Sequence, residues 1–252
     1  MEIPTQSGDL CIRCGDPLDS AGKVVACRAC RLAPPPFERA VAYAPYDGRM
    51  RDVIHALKYD RLHPAVRGLA QLLASAIAQL APDAPAEMLV VPIPLHRAKQ
   101  ADRGFNQAQL LAAQAVNILR KSRPAWQLTL APSLLIRVRA TETQAGLTPR
   151  QRRLNMRSAF AVPDPSAVAG KHVLIVDDIL TTGATARAAA RALIDAGAAS
   201  AWVATLARAR MRSARLGSAV FNDDAADDHT SNSQPQPASM YPTSSSLHQP
   251  SS

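Results

Sequence analysis

The chain has 252 residues, 47% of them hydrophobic but only 4% aromatic, and 29 Lys+Arg against 20 Asp+Glu give a formal net charge of +9. A core built mainly from Ala, Leu, Val and Ile is therefore affordable, and the cation excess favours phosphate-bearing partners, whether small molecules, nucleic acid or a membrane surface. The opening "MEIPTQSGDL" lacks the basic and apolar regions of a signal peptide, and the most apolar stretch, "LAQLLASAIAQLA" at 69–81, is short and broken by Gln71, Ser75 and Gln79. A buried helix rather than a membrane span is expected there, and a cytoplasmic chain with reduced thiols.

All four cysteines fall in the first 30 residues, as Cys11-x2-Cys14 and Cys27-x2-Cys30 with 12 residues between the pairs. Two chelating pairs of soft thiolates suit tetrahedral Zn2+, and four protein ligands leave no open position, so a structural metal is expected. Gly15 suits the tight turn that wraps the first pair around the ion. So small a lobe needs the metal to fold. Pro34, Pro35 and Pro36 then form a stiff connector, which closes a first region, 1–36.

Region 37–212 alternates strand and helix patterns. Strands are expected at "AVAYA" (40–44), "MLVVPIP" (88–94), "LLIRV" (134–138), "HVLIV" (172–176) and "AWVATLA" (201–207). Helices are expected in "MRDVIHALKY", where Met50, Val53, Ile54 and Leu57 share a face, and over 65–81, 105–120 and 183–196. The pattern predicts an α/β fold, a parallel sheet covered by helices on both faces. Thr148, Pro149 and Gln151 match a capping box, so a further helix starts there, preceded by a loop in "RATETQAG". Region 213–252 is Ser/Pro/Gln-rich, contains Asp223, Asp224, Asp227 and Asp228 but few apolar residues, and is expected to be disordered.

The segment "VLIVDDILTTGAT" (173–185) carries the clearest chemistry. An apolar central strand runs into Asp177 and Asp178, which sit at its carboxyl end, where parallel sheets bind ligands. "TTGAT" then enters a helix, with Thr181 or Thr182 as N-cap and Gly183 permitting close approach. Helix-start N–H groups and three threonine hydroxyls make an anion cradle. Carboxylates for sugar hydroxyls, followed by a phosphate cradle, match a ribose 5-phosphate. No Gly-Lys-Ser/Thr P-loop is present, the acids precede the glycine rather than following a dinucleotide glycine cluster, and a receiver domain would carry its acids near the first strand. His55, His63, His96 and His172 read as surface or structural histidines.

"VLIVDDILTTGAT" resembles the phosphoribosyl-pyrophosphate (PRPP) motif of type I phosphoribosyltransferases. With the cysteine lobe, "RGFNQ" (103–107), "TETQAGL" (141–147) and "RRLN" (152–155), residues from about 8 to 210 resemble the ComF/GntX family, in which a zinc ribbon precedes a phosphoribosyltransferase domain linked to DNA uptake in competent bacteria. The resemblance implies that Asp177 and Asp178 hold the ribose 2′- and 3′-hydroxyls, and that Thr181, Thr182, Gly183, Ala184 and Thr185 surround the 5′-phosphate. It implies that "VPIP" leads into a pyrophosphate-facing loop, which the cations Arg97, Lys99 and Arg103 fit. It makes 139–157 a hood closing over the reaction, with Arg137, Arg152 and Asn155 as candidates there and Mg2+ accompanying PRPP.

Arg103, Arg137 and Arg152 are then the expected catalytic cations of a PRPP-dependent glycosyltransferase of unspecified acceptor. A glutamine-dependent amidotransferase is disfavoured, because its N-terminal cysteine nucleophile is missing. The competing expectation is a non-catalytic accessory protein of DNA uptake that senses a nucleotide or contacts single-stranded DNA and a competence helicase. Aromatic residues are too few and too scattered for a stacking platform.

Overall fold

The computed structural model describes residues 5, 8–18, 25–59, 63–138 and 159–210. The expected helix at Thr148, the hood residues 139–157 with Arg152 and Asn155, and the tail from 213 lie outside the described residues. In chain order the elements are α1 (Arg28–Leu32), β1 (Ala40–Pro45), α2 (Gly48–Tyr59), α3 (His63–Ala78), β2 (Glu87–Pro92), α4 (Arg97–Arg103) and α5 (Gln107–Ser122). They continue with β3 (Gln127–Leu130), β4 (Ile136–Arg137), β5 (Phe160–Ala161), a 3-10 turn at Pro165–Ala167, β6 (His172–Leu180), α6 (Ala184–Asp195) and β7 (Ser200–Arg208).

Strands β1-β7-β6-β2-β3 form a five-stranded sheet in that order, every pair parallel. Because side chains alternate along a strand, each strand feeds two apolar layers. Val90, Leu174, Val176, Ala204 and Leu206 pack with α2, α3 and α5, while Val91, Val173, Ile175 and Val203 pack with α6. Met50, Ile54 and Leu57 are buried as the helical spacing requires, and α3 is the buried helix expected from its Ala/Leu content. Among the described residues no helix is long and apolar enough to cross a membrane.

Two strand expectations change. "LLIRV" does not join the five-stranded sheet: its strand is only Ile136–Arg137, paired antiparallel with Phe160–Ala161 in a separate two-stranded sheet. Its apolar run misleads because just one member, Leu135, is fully buried, while Ile136 and Val138 are 42% and 48% exposed. The fifth strand of the five-stranded sheet is instead β3, "QLTL", in which only Leu128 is buried. Four residues with polar Gln127 and Thr129 give too little apolar signal to stand out.

Candidate functional site

Strand β6 runs four residues beyond the expected 172–176 and outruns one of its neighbours. Its ladder with β2 ends at Pro92↔Val176, whereas its ladder with β7 continues through Asp177↔Thr205 to Leu180↔Arg208. The β2→β3 connection moves outward on one side and β6→β7 on the other, so the crossover direction reverses between β2 and β6. That is the switch point at which open α/β sheets bind ligands. Asp177 and Asp178 lie there, inside the strand rather than past its end, along the edge that β2 has vacated.

The strand alternation also separates the two carboxylates. Asp177 shares the face of Val173 and Ile175, and Asp178 shares that of Leu174 and Val176. Each meets its own partner. Asp178, 5% exposed, accepts from Gln107 Nε2 at 3.3 Å. Asp177 Oδ1 accepts from the Asp178 N–H at 2.9 Å, and on its side stands the Arg137 guanidinium. Burial pushes Arg137 below the usual arginine range, and the Asp177 charge draws it back. Arg137 Cζ also sits 5.7 Å from the centre of the Phe160 ring. The hood candidate Arg137 thus lies within electrostatic reach of Asp177.

Gln107 is a residue that its position in "RGFNQ" could have flagged. Asn106 caps α5, its Oδ1 accepting from Ala108 and Gln109 N–H while its Nδ2 donates to Ile93 O at 3.0 Å. This ties the chain leaving β2 to the start of α5 and aims Gln107 at Asp178. Among the described residues nothing donates to the buried Gln107 Oε1.

Beyond β6 the N-cap of α6 is Gly183 at φ 75, not a threonine. The left-handed backbone explains the glycine. Thr182 still contributes, its Oγ1 accepting from the Ala184 N–H at 3.3 Å. Thr181, Thr182, Gly183, Ala184 and Thr185 are thus contiguous around a helix start, a few residues after the acids. The expected pyrophosphate-facing loop is mostly the seven-residue helix α4, capped by His96 and ended by Gly104 at φ 74. It leaves the carboxyl end of β2, at the same end of the sheet as the acids. Arg97 and Lys99 are exposed on it and Arg103 is half-buried. His172 has a structural role, its Nδ1 lying 2.9 Å from Ser200 Oγ.

The cysteine quartet is closed. The ligand atoms of Cys11, Cys14, Cys27 and Cys30 all lie within 4.8 Å of one another. Cys14 and Cys27 Sγ are 3.7 Å apart, and two sulfurs about 2.3 Å from one tetrahedral Zn2+ stand about 3.8 Å apart. Gly15, φ 66, makes the turn after the first pair, and its N–H donates to Cys11 O. Burial alone would raise the Cys11 thiol, yet N–H groups of Cys14, Cys27 and Arg13 hold it down to about 7. Burial pushes Cys14 up to about 11 and Cys30 further. Spacing, donor type and distances fit zinc, and these four residues could hold it.

A Phosphoribosyl transferase domain model matches residues 108–238, which takes in β6, the Thr181–Thr185 loop and β7. DNA utilization protein YhgH of Salmonella typhi is 34% identical over 205 residues, 81% of this chain and 86% of its own length. The chain belongs to the ComF/GntX family. Other members are more distant: Competence protein F of Haemophilus influenzae is 29% identical over 202 residues, covering 79% of this chain and 84% of its own. Competence protein ComFC of Bacillus subtilis is 27% identical over 152 residues, or 60% and 56% of the two chains. The ComF/GntX assignment unites the phosphoribosyltransferase-type sheet and the four-cysteine lobe in one architecture.

Proposed function

We propose that the switch-point crevice binds PRPP or a closely related ribose phosphate. The observation that carries this is the release of β6 from β2 at Val176, which leaves Asp177 and Asp178 unpaired by β2 directly upstream of the Thr181–Thr185 helix start. Sugar hydroxyls would donate to the acids, and the buried Gln107 Oε1 offers a further acceptor beside Asp178. The N–H and hydroxyl groups of Thr181–Thr185 would hold the 5′-phosphate. Arg97, Lys99 and Arg103, at the same end of the sheet, would face pyrophosphate.

As an enzyme the protein would be a glycosyltransferase. An acceptor's electron pair forms a bond to C1 while the C1–O bond breaks with its pair leaving on pyrophosphate. Arg103, Arg137 and Arg152 are the cations proposed to offset the charge on the departing group. Mg2+ arriving with PRPP would lessen charge repulsion within it. The chain's own part is to position the sugar and exclude water.

Titration calorimetry with PRPP and Mg2+ tests the reading. Saturable binding to the wild type, lost in Asp177→Asn/Asp178→Asn, is the expected result. A wild type that is folded and zinc-loaded yet shows no heat of binding would refute it.

A second reading is favoured by the relatives' names and by exposed cations on α4 and on α1 (Arg28, Arg31). The protein would then serve competence-associated DNA handling by contacting single-stranded DNA. Affinity should fall steeply with salt if phosphates are neutralised, and a flat salt dependence would speak against it.

A further inference from the structure

The cysteine lobe is tied to the strands and loop that carry the phosphate cradle through a buried arginine that neither the ribose-phosphate site nor the metal site uses directly. Arg208 ends β7 and is 2% exposed. Its Nη1 donates to Leu180 O at 2.8 Å, to Thr181 O, and to Ala209 O at 3.1 Å. Its Nη2 pairs at 3.4 Å with Oδ1 of Asp16, two residues after Cys14. One planar guanidinium therefore grips the loop that opens the phosphate cradle and the knuckle of the cysteine lobe together. A planar, rigid fork can do this where a lysine point charge cannot.

The grip has a directional consequence. In a trans peptide the N–H points opposite to the preceding C=O. Holding the Leu180 and Thr181 carbonyls on the guanidinium turns the Thr181 and Thr182 N–H groups away from it. Those two N–H groups begin the cradle. A second tie supports the helix that follows, since Arg187 on α6 donates from Nη1 to Ala33 O, just past the helix bearing Cys30, at 3.0 Å. Further contacts fasten the lobe to the sheet, with Ala40 N–H donating to Arg13 O at 2.7 Å and Arg13 Nη1 lying 3.0 Å from Glu38 Oε2. The loop's orientation thus depends on Arg208, and the position of Arg208 depends on a lobe that zinc would order.

We propose that Arg208 is a positioning residue that couples the two sites: an ordered, metal-loaded lobe holds Asp16 against Arg208, which presets the Thr181–Thr182 peptides for a phosphate. This rests on the ribose-phosphate reading for its ligand arm and on the zinc fit for its metal arm. Coupling is reciprocal, so the factor by which zinc tightens the phosphate ligand must equal the factor by which that ligand tightens zinc. Linked sites commonly show about 5–150-fold.

The full chain is compared with and without zinc, as wild type, Arg208→Lys and Asp16→Ala. Amide hydrogen exchange over 180–187 needs no ligand, and calorimetry with PRPP and Mg2+ reads the same coupling as an affinity. In the wild type, zinc removal is expected to speed exchange across 180–187 and weaken PRPP at least fivefold. In Asp16→Ala, which removes the lobe's side of the grip and none of the four cysteines, zinc should still bind but neither quantity should respond to it. Arg208→Lys should weaken the ligand in both metal states and erase the zinc response. PRPP binding that is indifferent to zinc in the wild type overturns the coupling and leaves the ribose-phosphate reading standing. Zinc-dependent exchange at 180–187 with no PRPP binding does the reverse. A full zinc response in Asp16→Ala also overturns the proposal, since it would route the coupling elsewhere.

Discussion

The cysteine lobe and the parallel sheet bury opposite kinds of side chain. The lobe turns sulfur inward: its buried cluster is Cys11, Cys14 and Cys30, with Leu18, Ala26 and Cys27 at the rim. Among the described residues three of its larger apolar side chains face out, Ile12 at 52%, Val25 at 62% and Leu32 at 75% exposure. In the sheet Leu174, Ile175, Val176 and Val203 are wholly buried between helices on both faces. The sheet can be stabilised by removing apolar area from water, at about 1.5–3 kcal/mol per fully buried large side chain. Among the described residues the lobe has no buried large aliphatic or aromatic side chain of its own. Ordering it would then fall to the ion its four thiols could hold.

The largest effect expected from that contrast comes from taking the thiols away. Structural Zn2+ sites carry apparent binding energies of about 10–16 kcal/mol, which is folding energy for a lobe without a core. Cys11→Ser/Cys14→Ser should abolish bound zinc, read by elemental analysis, and collapse exchange protection over 8–18 and 25–33. Protection over β6 and β7 should survive. Simultaneous loss of protection in both regions would show that the sheet, too, leans on the metal. Next in size is a cavity in the sheet. Leu174→Ala, at a wholly buried position, should cost about 2–5 kcal/mol in denaturant unfolding. Leu32→Ala, in the lobe, should stay within about 0.5 kcal/mol of the wild type. Equal costs would erase the distinction between the two regions.

How legible each region was in the sequence follows from the same contrast. Cys-x2-Cys pairs announce themselves because their chemistry is fixed by residue type and spacing, and all four thiols do converge. Strands β1, β2, β6 and β7, buried on both faces, write continuous apolar runs and were readable. β3 was not, because it is four residues long and only Leu128 is buried, between exposed Gln127 and Thr129. "LLIRV" wrote an apolar run for a ribbon whose Ile136 and Val138 face outward. The acidic pair and the threonine loop were visible as residues, but their arrangement was not. Only register shows that β6 outruns β2, and only the fold brings Gln107 to Asp178 and Arg137 to Asp177. Arg208 left no local signal, since its partners other than the adjacent Ala209 lie 27, 28 and 192 positions away in the chain.

A smaller effect is expected where the two regions touch. Gly15 has φ 66, and a Cβ there would lie 3.1 Å from Ala40 O of β1. Gly15→Ala should cost about 1–2 kcal/mol for the left-handed backbone alone, with a further cost from the squeeze against rigid strand backbone. Gly48→Ala, at φ 41 with open space around it, provides the strain without the clash. If the two alanine variants melt alike, the contact between the lobe and β1 contributes little.

The smallest effect is expected from charge on the helical shell of the sheet. Arg191 Nη1 and Asp195 Oδ1 stand 4.0 Å apart, one helical turn from each other near the end of α6, with side chains 55% and 65% exposed. Exposed pairs of this kind contribute about 0.3–0.5 kcal/mol. Here the acid is also the last residue of the helix, where unsatisfied carbonyls disfavour negative charge. The basic-first order is the weaker orientation for an i,i+4 pair. These terms oppose one another, so Asp195→Asn should shift unfolding by less than about 0.5 kcal/mol at low salt, and the difference should vanish at high salt as screening removes both. A salt-resistant loss of more than 1 kcal/mol would place structural work on the sheet's charged surface, where the apolar layers were assigned all of it.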